Sequence, residues 1–151
     1  MRREFMVGKL HGIRVTGSEL HYEGSIEIDP ELCEMVGMLP LQFVEVWNKA
    51  SGARISTYIV HGPRGSRCCV LNGAAARTCQ KGDELIVAAR AEIETSELED
   101  LSSRVLILNG MNEVIRAIEY GLQQVTTGSW SAVPKVASGC VGAASRAMEP
   151  C

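Results

Sequence analysis

The stretch Leu20-His21-Tyr22-Glu23-Gly24-Ser25-Ile26-Glu27-Ile28 decides how the chain is read. Its second half, Ile26-Glu27-Ile28, alternates apolar and charged residues and is β-branched, which predicts a strand. Its first half ends in Gly24-Ser25, a pair whose ordinary reading is a turn. The same pair also offers a route to self-cleavage. A serine hydroxyl can attack the carbonyl carbon of the preceding residue through a five-membered ring, turning the amide into an ester. Glycine before the serine gives the backbone access to conformations other residues avoid. Strain at one peptide weakens the protection that planarity gives it. β-Elimination from the ester leaves dehydroalanine, which hydrolyses to a pyruvoyl group and ammonia. The pair recurs at Gly17-Ser18, Gly65-Ser66 and Gly128-Ser129, so the dipeptide alone does not separate turn from cleavage site.

Upstream, residues 6–15 read as a first strand, with Lys9, His11, Ile13 and Val15 on one face. A lysine there can lay its stem on the surface while its amine reaches water. Thr16-Gly17-Ser18 is expected to turn. Downstream, Asp29-Pro30 reads as a helix start, Leu32, Met35 and Val36 as its apolar face, and Gly37 as its stop. Residues 41–48 and 53–61 read as two strands joined by a hairpin at Lys49-Ala50-Ser51-Gly52. In the second, Arg54, Ser56 and Tyr58 face one way, and Ile55, Thr57 and Ile59 the other. A loop over 62–66 leads to a short strand over 67–71. Asn72-Gly73-Ala74-Ala75-Ala76-Arg77 then turns into a short helix. It is either a plain connection or a helix start whose open N–H groups suit a carboxylate or oxyanion. Residues 84–91 and 104–108 read as strands, with an acidic, exposed segment at 92–103. Val114, Ile115 and Ile118 at helical spacing predict a helix over 112–123. Residues 125–151, rich in Ser, Gly, Ala and Thr without a period, read as a flexible tail that buries too little to order itself.

With 151 residues and 46% hydrophobic composition the chain makes about one domain. The net charge of −3 gives no basic face for nucleic acid. No apolar run approaches the ~20 residues of a membrane span, and the first residues carry no signal-peptide pattern. The expected location is the cytoplasm, with reduced thiols. None of the six cysteines forms a C-x-x-C pair, so no metal site is expected and the thiols read as small apolar groups.

Several motifs agree on one family. Lys9-Leu10-His11, Leu20-His21-Tyr22-Glu23-Gly24-Ser25, Trp47-Asn48, Arg54-Ile55-Ser56-Thr57-Tyr58, Arg64-Gly65-Ser66-Arg67 and Asn72-Gly73-Ala74-Ala75-Ala76 resemble the bacterial aspartate α-decarboxylases, pyruvoyl enzymes that make β-alanine. Order and spacing match from about residue 6 to about residue 91, thin beyond it, and end by about residue 120. The resemblance implies an all-β fold with short helices, a double-psi β-barrel, over residues 1–120. It implies cleavage between Gly24 and Ser25 into residues 1–24 and 25–151, with Ser25 becoming the pyruvoyl cofactor that forms a Schiff base with L-aspartate. Tyr58 is implied as proton donor, and Thr57 in cleavage and substrate binding. Lys9, Arg54, Asn72, Gly73, Ala74 and Ala75 are implied as substrate-binding residues. The family forms homotetramers with sites at subunit contacts, and its β-alanine feeds pantothenate synthesis. Self-cleavage unaided and with a maturation factor both stay open.

The alternation sets a tension against that site. Neighbours Thr57 and Tyr58 point to opposite faces of a regular strand, and Arg54 lies roughly 13 Å from Tyr58 along it. The expectation is a site between subunits, with Arg54 or Thr57 supplied across the contact from Tyr58. Two alternatives stand beside the decarboxylase: a non-catalytic oligomeric β-barrel binding module whose Gly24-Ser25 is only a turn, and a pyruvoyl decarboxylase for another amino acid. His11 and His21 read as structural hydrogen-bonding groups, His21 near the cleavage turn.

Overall fold

The α-helix is defined by its ends. Asp29 caps α1 (Pro30–Val36), its carboxylate accepting the Glu31 N–H at 3.0 Å, and Gly37 closes it at φ 74°. A proline at the first helical position and a glycine in the left-handed region are what those ends require. Asp29 does more than cap. It is fully buried and also accepts the N–H groups of Gly65 at 3.0 Å and Arg67 at 2.8 Å. Burial opposes its charge, but the N–H groups of Arg67, Glu31 and Gly65, with the Arg67 guanidinium, hold its pKa below the usual carboxylate range. One side chain thus ties the helix start to the loop at 62–66.

A computed structural model describes residues 1–135. Ten strands accompany α1 among the described residues: β1 (Arg2–Arg14), β2 (Gly17–Glu19), β3 (Ser25–Ile28), β4 (Phe43–Asn48), β5 (Arg54–His61), β6 (Cys69–Asn72), β7 (Glu84–Glu94), β8 (Ser103–Leu108), β9 (Val114–Thr126) and β10 (Ser129–Pro134). They form one mixed sheet in the order β10-β9-β8-β1-β7-β4-β5-β3-β6-β2. The pairs β1·β8, β2·β6 and β3·β5 are parallel. The sheet curls on itself, because Thr16 N–H, just past the end of β1, bonds Cys69 O at 2.7 Å on β6, a strand far from β1 in the sheet order. Leu10, Ile13, Ile26, Ile28, Ile59, Leu71, Leu85 and Val87 fill the inside of this barrel-like all-β fold. Cys33, Cys69 and Cys79 are buried among them, and burial pushes the Cys33 thiol up to about 12.

The C-terminal third departs from the sequence reading. Residues 114–126 are a strand, not the helix expected over 112–123. Val114, Ile115 and Ile118 are β-branched, which suits a pleated surface, and β9 pairs with β8 from Tyr120↔Ser103 to Val114↔Leu108. Nor does a tail begin at 125. Gly128, at φ 81°, turns the chain, and β10 pairs back from Thr126↔Ser129 to Tyr120↔Pro134. β9 crosses residue 120 without a break. Pairing supplies backbone hydrogen bonds where the side chains supply little core. The rest of the expected tail, 136–151, lies outside the described residues. Smaller differences follow the same logic: β1 starts at Arg2 because it pairs with β7 as far as Glu94, and Gly17–Glu19 is a strand because β6 extends beside it. The segment at 92–103 is less exposed than expected, since Leu98 and Leu101 are buried.

Candidate active site

β5 is flanked unequally. β4 pairs with it from Arg54 to Tyr58, whereas β3 joins its other side only from Ile59 onward. Beside residues 55–58 the sheet therefore opens into a cavity of about 360 Å³. Ile55, Ser56, Thr57 and Tyr58 form one wall, Gly24, Ala74 and Ala75 another, and Phe43 stands at the rim. A wall made from a strand's edge presents residues of both faces. Thr57 is buried on the inner face and Tyr58 lies on the outer, yet both line the cavity within one chain. The expected conflict between them is thereby overturned.

Ser25 sits where β3 begins, directly after Gly24 of the cavity wall. It is 1% exposed, while the serines of the three other Gly-Ser pairs, Ser18, Ser66 and Ser129, are exposed. Its register partner on β6 is Asn72, whose Nδ2 donates to Ser25 Oγ at 3.1 Å. Among the described residues the hydroxyl has no acceptor for its own proton. The next residue, Gly73, has φ 66°, and a Cβ on it would lie 2.8 Å from Gly24 Cα and 2.9 Å from Tyr22 O. A Cβ on Gly24 itself would meet nothing within 4 Å. The steric demand for glycine in the folded chain therefore falls on residue 73. A buried hydroxyl, a donor aimed at it and a bare Gly73 against the Gly24 backbone fit a prosthetic group made from Ser25 itself.

Lys9 and Arg54 do not join this cavity. Leu10 is buried in the core, so Lys9 and His11 occupy the sheet's outer face. Register places His11, Ile86, Trp47 and Arg54 in one row across that face, and Lys9, Ala88, Glu45 and Ser56 in the next. β1 and β5 are three strand spacings apart, roughly 14 Å. The Arg54 guanidinium lies over the Trp47 ring, 4.6 Å from its centroid, a cation–π contact. Burial, then the charges of Lys9 and Lys49, lower the His11 pKa, with Glu84 opposing them. Among the described residues His11 Nδ1 is buried without a hydrogen-bond partner, so the structural bonding expected of it is not made there. His21 is exposed on the turn before Gly24.

Phe43 is a site residue the motifs did not single out. It is 67% exposed, opposes Tyr58 in register, and its ring centroid lies 6.0 Å from that of Tyr58. A large aromatic on an outward strand position was the available signal. Among the described residues no group of His, Cys, Asp and Glu is placed to hold a metal ion, and no helix is long and apolar enough to cross a membrane.

Comparison with known proteins places other sequences beside this geometry. The family model described as aspartate decarboxylase matches residues 1–115. An aspartate 1-decarboxylase of Methylocella silvestris is 53% identical over 85% of this chain and 83% of its own length. One of Methylobacterium nodulans is 57% identical over 78% of each chain. One of Xanthobacter autotrophicus is 52% identical over 85% of each.

Proposed function

The chain belongs to the aspartate decarboxylase family, and on that premise we propose that it converts L-aspartate to β-alanine and carbon dioxide for pantothenate biosynthesis, using a pyruvoyl group made from its own Ser25. The observation that carries this reading is the burial of Ser25 beside the cavity with Asn72 holding its hydroxyl. In maturation, Ser25 Oγ bonds the Gly24 carbonyl carbon, the Gly24–Ser25 C–N bond breaks, and the hydroxyl proton ends on the Ser25 nitrogen. Thr57, which lines the same cavity as Gly24, assists that cut and later contacts substrate. The pyruvoyl group supplies an electrophile and electron sink that no ordinary side chain offers.

The other residues bind, orient and move protons. Tyr58 Oη delivers a proton to the substrate carbon that loses its carboxylate. Asn72 and Gly73 orient the reacting end, and the short side chains of Ala74 and Ala75 leave room for it. Phe43 packs against the Tyr58 ring and limits its movement. Lys9 and Arg54 grip the substrate carboxylates, Arg54 through two parallel bonds. Since neither of them lines the cavity of its own chain, a second copy brings them to it, and the enzyme works as a homotetramer with sites at its subunit contacts. The cytoplasm is its place of action.

The test is product formation from L-aspartate, L-glutamate and L-histidine offered separately. β-Alanine from aspartate, without products from the others, is expected. Turnover of another amino acid in preference to aspartate moves the chain to a different substrate, and no turnover of any leaves a binding module. Coexpression tests the shared site: Ser25→Ala and Arg54→Ala chains, each inactive alone, regain activity together only if one site draws on two copies.

A further inference from the structure

We propose that Gly73 is a positioning residue for self-cleavage: the absence of its side chain fixes the Tyr22–Gly24 turn against Ser25. This role differs from the substrate contact implied for Gly73 above, and it rests on the self-cleavage reading. Asn72 and Gly73 are successive residues, and they hold opposite sides of one peptide bond. Asn72 Nδ2 holds the Ser25 hydroxyl at 3.1 Å. Gly73 lays its bare Cα against the backbone on the Gly24 side.

The clearance is specific. An ideal Cβ at 73 would stand 2.8 Å from Gly24 Cα, 2.9 Å from Gly24 N and 2.9 Å from Tyr22 O. All three are main-chain atoms, so no side-chain rotation relieves the contact. To restore ordinary van der Waals separation the turn must retreat by about half an ångström. Ser25 is held by its ladder with Asn72 and by the hydrogen bond from it, so the retreat separates the attacked carbonyl from the attacking oxygen. Intramolecular attack tolerates such displacement poorly; ~1 Å costs ~100-fold, so about half of that costs ~10-fold.

Two effects of a methyl at 73 need separating, since Gly73 also has φ 66°, where any L side chain is strained. Gly65 provides the comparison. Its φ is 78°, but a Cβ there would approach nothing nearer than Glu31 Oε1 at 3.8 Å. Gly65→Ala carries the backbone strain without the contact.

The experiment follows cutting of freshly purified parent, Gly73→Ala and Gly65→Ala by intact mass, with the melting temperature measured on the same samples. The rate is taken for the folded fraction, a quantity that a merely structural role leaves unchanged. The parent and Gly65→Ala are expected to cut at the same rate, and Gly73→Ala at least about tenfold more slowly. A folded Gly73→Ala that cuts at the parental rate overturns the proposal, as does a Gly65→Ala slowed equally. If Gly73→Ala fails to fold, Gly73→Asn carries the test with the same two outcomes, because asparagine accepts the left-handed region while still bearing a Cβ. A parent that never cuts refutes self-cleavage itself, which sets that failure apart from the failure of Gly73's role.

Discussion

Asp29 and Ser25 are both buried polar residues near the start of adjoining elements, and their surroundings differ in two respects. Asp29 is saturated: its carboxylate accepts three backbone N–H groups and faces the Arg67 guanidinium at 3.6 Å. Ser25 is half-satisfied: it accepts one hydrogen bond, from Asn72. It also adjoins a cavity, whereas Asp29 is enclosed by helix and loop. Burial therefore does not by itself separate structural from chemical roles. A buried polar group whose valences are all used holds the fold together. One with a spare proton beside open space retains the capacity to react.

That contrast breaks first if Ser25 proves structural. Ser25→Ala is expected to abolish cutting and β-alanine formation while changing unfolding free energy by only about 1 kcal/mol; residual turnover above background contradicts the assignment. Tyr58→Phe is expected to cut normally and to decarboxylate about 10²- to 10⁴-fold more slowly, and a normal kcat removes Tyr58 from proton transfer. Asp29→Ala is expected to do the reverse of Ser25→Ala. Urea unfolding should show a loss of about 3–5 kcal/mol, with the folded fraction still cutting; a loss under 1 kcal/mol would mean the three N–H groups find other partners.

The smallest expected effect is in acid. The folded-state pKa of Asp29 is depressed, so the unfolded chain binds its proton more readily. Its contribution is complete above the unfolded value, near pH 4, and declines as pH falls through the folded one. Unfolding free energy measured from pH 5 to pH 2 should fall more steeply in the parent than in Asp29→Asn. Parallel curves would show that Asp29 gains nothing from its charge.

How much of this the sequence carries depends on the kind of interaction. The ends of α1 are legible because Asp29-Pro30 and Gly37 have local meanings. The hairpin between β4 and β5 is legible for the same reason. The alternation of β5 assigns Thr57 and Tyr58 to opposite faces correctly, but it does not reveal that β3 joins only from Ile59. That gap is a property of a neighbouring strand, and it is what lets both residues line one cavity. β9 and β10 are missed because three apolar residues fit a helical spacing, while the edge of β8 that claims them is remote in sequence. Gly24 and Gly73 look alike as letters. Only the packing shows that a side chain at 73 would strike main chain, and that one at 24 would not.

The most direct measurement is the intact mass of the purified protein under denaturing conditions, before and after borohydride reduction. Two polypeptides are expected, residues 1–24 and residues 25–151, the second beginning with a keto group and gaining two hydrogens on reduction. A single 16.3 kDa chain, unchanged by borohydride, would contradict the account.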